Sequence, residues 1–73
     1  EGVAINGKGN VDVVDSGNSR VQEFTPQGDY STQWGTAGKG EGQFSMPAGI
    51  AVDGKGDVYV VDWGADRVEK FGP

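Results

Sequence analysis

Two aspartate–arginine pairs, Asp15 with Arg20 and Asp62 with Arg67, recur at the same spacing along the chain. Each pair brackets a short turn that contains a glycine. A carboxylate at such a turn accepts hydrogen bonds from backbone N–H groups, and the arginine is placed to pair with it. On an exposed face the same charges would clamp a charged ligand. Repetition favours the structural role, because a binding site rarely needs every copy. A second pattern, Asn6-Gly-Lys-Gly-Asn10, returns as Asp53-Gly-Lys-Gly-Asp57. Asp53 and Asp57 are hard oxygen donors of the kind calcium takes. The full acidic order of a calcium loop and its bidentate glutamate are missing, and a lysine sits inside the pattern. Hairpin-turn chemistry accounts for it, so no metal is expected. Trp63 occupies a turn where the first copy has Ser16. A tryptophan there is suited to stacking on a sugar, a base or a peptide side chain. The alternatives are packing against a neighbouring blade and a tolerated exposed aromatic. Trp63, Ser16, Arg20 and Arg67 are therefore the candidate ligand-binding set, with Asp15 and Asp62 as turn-forming residues. The glycines from Gly35 to Phe44 resemble a phosphate loop only in composition, since no G-K-[ST] ending follows.

Composition narrows the chemistry further. The chain has 73 residues, no cysteine and no histidine. Disulfides, thiolate metal sites and cysteine nucleophiles are excluded, and the commonest general base is absent. No serine has an adjacent base. No catalytic residue and no cofactor are expected, and the chain is read as a non-enzyme. A net charge of −5, from six basic and eleven acidic residues, leaves no basic stripe for a nucleic-acid backbone. No apolar run approaches membrane-spanning length, so no membrane partner is expected. A chain this short buries only ~60% of the surface its unfolded form exposes, and usually needs a staple. Association with another chain is the staple still available.

The elements that must position these residues come from a repeat. The stretch from Gly2 to Pro26 aligns with that from Gly49 to Pro73 at an offset of 49 − 2 = 47 residues, with 14 of 25 positions identical. Residues 1–48 make a first unit with its linker, and residues 49–73 part of a second. The chain lacks leucine but has ten valines and fourteen glycines, which suits strands joined by tight turns. Strands are predicted over Val3 to Ile5, Val11 to Asp15, Arg20 to Phe24 and Tyr30 to Trp34. Their counterparts run over Ile50 to Val52, Val58 to Asp62 and Arg67 to Phe71. The GKG triplets supply positive φ angles for hairpin turns. The valine-rich second strands carry apolar residues on both faces, as doubly covered strands do. Four antiparallel strands repeated at ~40–50 residues are the blades of a β-propeller. Val13, Val60, Phe44, Met46 and Trp34 are the expected contacts between blades.

The wording of the repeat is more specific. The opening GIAVD, the strand VYVVD, the turn D-x-G-x-x-R and the linker QWGTAGKGEGQF resemble the NHL repeat over essentially the whole chain. Asp12 departs from the apolar or aromatic type kept as Tyr59, and Trp63 and Ala65 from the small polar types kept as Ser16 and Asn18. The resemblance implies an all-β fold of propeller blades, in a family of mostly six-bladed rings. It also implies that the turns bearing Ser16 and Trp63 share one face with the linkers, often the ligand-binding face. Some related propellers are lyases or hydrolases with a central metal held through histidine, and no histidine stands here. The extracellular bacterial relatives and the absence of cysteine fit an extracellular or periplasmic parent.

Three functions follow as expectations. The first is a self-assembling pair of blades that closes a six-bladed ring as a homotrimer, 2 × 3 = 6. The second is a module that recognises a glycan or peptide through Trp63. The third is a non-catalytic piece of a propeller enzyme. The second unit is expected to present a three-stranded sheet, because no counterpart of Tyr30 to Trp34 follows Phe71, with an exchange that adds another subunit's segment to the edge as the alternative.

Overall fold

Valine-rich segments and glycine turns carry the chain into nine short strands, in a computed structural model that describes residues 2–72. The first sheet is β1 (Val3–Ile5), β2 (Val11–Asp15), β3 (Arg20–Phe24) and β4 (Tyr30–Trp34), paired in that order. All neighbours are antiparallel, with Val13 opposite both Val3 and Gln22. In the linker, β5 (Thr36–Ala37) and β6 (Gln43–Phe44) form a small parallel ladder. The second sheet is β7 (Pro47–Val52), β8 (Val58–Asp62) and β9 (Arg67–Phe71), again antiparallel. β7 starts at Pro47, ahead of the predicted Ile50, and a bulge between Pro47 and Gly49 fits the extra length. The second sheet has three strands among the described residues.

The hairpin turns use only one glycine of each triplet in the left-handed region. Gly9 (φ 82°) and Gly56 (φ 86°) take it, while Gly7 and Gly54 do not. Gly9 N–H closes its turn on Asn6 C=O, and Gly56 N–H does the same on Asp53 C=O. After β2 and β8 the chain makes single 3-10 turns, Ser16–Asn18 and Trp63–Ala65. Both end on non-glycine residues in the left-handed region, Ser19 (φ 52°) and Asp66 (φ 53°).

The two sheets pack face to face over a core of Val14, Val21, Phe44, Val58 and Val60. Trp34, Ile50, Val52 and Phe71 pack against it, with the Trp34 and Phe71 rings 4.5 Å apart at their centroids. Phe44, Val60 and Trp34 thus lie between the sheets. Val13 does not. It is half-buried on the outer face of the first sheet, because the alternation of β2 turns Asp12 and Val14 inward instead. Met46 does not either: its side chain is 56% exposed, since the linker runs with its backbone, not this side chain, against the second sheet. The middle strands are covered on one face only. Val61 is 40% exposed on the far side of β8 from the buried Val60.

Candidate functional site

The Asp62–Arg67 pair grips the linker by its backbone. Asp62 is fully buried at the end of β8, and its two carboxylate oxygens accept N–H bonds from Ser45 (2.9 Å) and Met46 (2.8 Å). Trp63 N–H donates to Met46 C=O, which extends the same contact (3.0 Å). Arg67, at the start of β9, donates through Nη2 to Gly40 C=O (2.8 Å) and Gln43 C=O (3.0 Å). Its ion pair is with Glu69 (3.0 Å), not Asp62, and Glu69 in turn accepts Gly42 N–H (3.2 Å). Arg67 Nε is buried without a hydrogen-bond partner among the described residues. Burial pushes Asp62 upward, but the Met46 and Ser45 amides and Arg67 outweigh it and hold its carboxyl below the ordinary value. The chemistry suits an extended segment with little side chain: a carboxylate takes two consecutive N–H groups and a guanidinium takes two carbonyls.

The equivalent pair in the first unit holds nothing but its own sheet. Arg20 Nε donates to Asp15 at 3.0 Å, and Arg20 Nη1 to Gln33 at 2.9 Å. Asn18 Nδ2 also reaches Asp15, at 2.9 Å. The Asn18 amide, then Arg20, hold the Asp15 carboxyl low. Pairing of aspartate with arginine across the turn therefore occurs in the first unit alone. Glu69 was not among the residues singled out from sequence. Its signal was the exchange of Gln22 for an acid at the matching position, 22 + 47 = 69.

The remaining candidates lie apart. Trp63 is 72% exposed and rims a cleft of about 620 Å³ with Val61, Asp66, Arg67 and Val68. Ser16, at the equivalent position of the first unit, lies at the junction of the sheets, where its hydroxyl donates to Pro47 C=O. Asp53 is engaged within its own hairpin, accepting Lys55 and Asp57 N–H groups and the Tyr59 hydroxyl.

At the hairpin end of the sheet interface is a second cleft, of about 690 Å³, whose lining includes Asn6, Lys8, Asp12, Glu23, Trp34 and Phe71. Asp12 and Glu23 are both buried there and share one donor, Asn6 Nδ2, at 3.1 and 3.0 Å. Asn10 Nδ2 adds a 2.7 Å bond to Glu23 and leads in holding its carboxyl low. Burial, then Glu23, push the Asp12 carboxyl up, against Asn6 and Lys8.

The repeat profile of one known family, the NHL repeat, matches residues 44–71. Residues 44–71 read as an NHL repeat. The match opens on Phe44, the buried linker anchor, and closes on Phe71, so it takes in Asp62, Arg67 and the Ser45 and Met46 amides. The first unit shares 14 of 25 aligned residues with the second, and so repeats the NHL pattern 47 residues earlier. No curated protein matches the chain.

Proposed function

We propose that this all-β NHL chain is a self-assembling pair of propeller blades, three copies of which close a six-bladed ring. One observation carries the reading: the two outer faces are the repeat equivalents of the two inner ones. The buried residues Asp12, Val14, Val21 and Glu23 of the first sheet correspond, at +47, to Tyr59, Val61, Val68 and Lys70 on the outer face of the second. Ile50, Val52, Val58 and Val60 of the second sheet correspond, at −47, to Val3, Ile5, Val11 and Val13 on the outer face of the first. The contact within one chain is thus available again between chains, head to tail. Val3 (63% exposed), Ile5 (60%) and Val68 (60%) form apolar surface of the kind that marks an interaction site. Head-to-tail contacts make closed rings when the rotation closes, and a ring satisfies every face. The role is structural, without catalysis. Light scattering is the test: a mass of three chains, falling on dilution, is expected. A folded monomer at micromolar concentration overturns the reading.

The exposure of Trp63 favours a second reading, a module that stacks a glycan or a peptide side chain on this ring. Trp63 emission, followed during titration with oligosaccharides and aromatic peptides, tests it. No saturable change removes it.

A further inference from the structure

We propose that Asp15 and Arg20 are a second copy of the Asp62–Arg67 clamp, able to take the linker segment of a further repeat unit. The molecule displays one pair that holds a linker and one that holds itself. In the former, Asp62 receives the Ser45 and Met46 N–H groups and Arg67 holds the Gly40 and Gln43 carbonyls. In the other, the same residue types at the same spacing fold back on each other, at 3.0 Å, on the open face of the first sheet. Both side chains remain partly accessible, at 23% for Asp15 and 29% for Arg20. The strand that bears the pair keeps one further residue type: Phe24 stands at the position of Phe71, which meets Phe44.

The inference rests on the ring reading for its opposite wall. Phe44 is buried in one cluster with Val14 and Val21 of the first sheet. The equivalents of those valines, Val61 and Val68, lie exposed on the outer face of the second sheet. Head-to-tail stacking brings that face of one copy against Asp15, Arg20 and Phe24 of the next. Stacked in this way, the junction between copies has a backbone clamp on one wall and two valines on the other. Its ligand is an extended, glycine-rich segment with one phenylalanine followed by Ser-Met-Pro. An arginine that already spends its donors on Asp15 and Gln33 exchanges them for two carbonyls. An aspartate that already accepts from Arg20 and Asn18 exchanges them for two amides.

The probe is a synthetic peptide of residues 38–48, titrated into the full chain by calorimetry with light scattering on the same sample. Saturable binding is expected, weakened about tenfold or more by Arg20→Ala, which removes two charge-assisted bonds. A peptide N-methylated at the Ser45 and Met46 amides should lose binding to a similar degree with the protein untouched. Absence of binding to the folded chain overturns the inference, as does binding indifferent to both Arg20→Ala and N-methylation. A three-chain mass without binding sinks the clamp and leaves the ring. A monomer that binds the peptide in an Arg20-dependent way sinks the ring and leaves the clamp.

Discussion

The two sheets share most of their aligned residues yet bury opposite faces. On β2 the inward residues are Asp12 and Val14, whereas on β8 they are Val58, Val60 and Asp62. Val14 is 1% exposed and its counterpart Val61 is 40% exposed. Residue type at these positions does not decide burial; place in the stack does. A strand with valine on both faces is therefore a strand for the middle of an array, and each sheet here fills half of that role. The Asp–Arg pairs differ in the same way, since one meets the linker and the other meets itself.

The comparison breaks most clearly at one pair of matched valines. Val60→Asp places an unpaired carboxylate in the core, and an uncompensated buried charge costs roughly 3–5 kcal/mol. For a chain of this size that is enough to unfold it, and circular dichroism should report loss of the strand signal. The matched substitution Val13→Asp should leave the chain folded and act on association alone, seen as a drop in scattered mass. If the two unfold alike, the faces are not distinct in the way described. Next is Phe44→Ala, which empties the anchor shared by Trp34 and Phe71. A loss of roughly 3 kcal/mol in denaturant unfolding is expected.

The pH dependence separates the two buried aspartates. Asp12 is raised from 3.8 by burial and then by Glu23, so its charged form opposes folding. That cost is full above its folded value and fades as the pH falls toward 3.8. Lys8 and Glu23 face it from the first sheet and Lys55 lines the same cleft from the second. Asp12→Asn keeps an acceptor for Asn6 and should raise the thermal midpoint at pH 7, with the gain shrinking on acidification. Asp62 has the opposite sign. Its value is held below 3.8, so its contribution is present above 3.8 and is lost as the pH falls below it. A gain from Asp12→Asn that is constant with pH would assign the effect to something other than charge. The smallest effect belongs to Lys55→Ser in the exposed hairpin, within about 0.5 kcal/mol by thermal melt.

Much of this arrangement was legible from the 47-residue offset. Two matched copies restrict where strands begin and end, and the seven blade strands lie close to their predicted bounds. What stayed hidden depends on contacts that spacing does not encode. Asp12 and Glu23 alternate with valines like residues of a wet face, but the Asn6 and Asn10 amides allow them to be buried. Met46 looks like a core residue by type, yet its backbone makes the contact and its side chain is free. Ser19 and Asp66 take a conformation usually left to glycine, because their N–H groups close a 3-10 turn on Ser16 and Trp63. The destination of Arg67 lay in the linker carbonyls, which carry no side-chain signature.

The sheets touch most closely at their first strands. A Cβ at Gly2 would lie 3.2 Å from Gly49 Cα, while farther out the aromatic rings of Trp34, Phe44 and Phe71 hold the sheets apart. This gradient, bare backbone at the hub and tilted rings at the rim, makes the pair of sheets a wedge. The opening angle of that wedge sets the angular pitch of any ring built from it. Adding a methyl group at Gly2 would spread the hub without moving the rim, narrow the wedge, and favour a rounder assembly of more blades. In such a ring, glycine at this closest approach would act as a counter of blades.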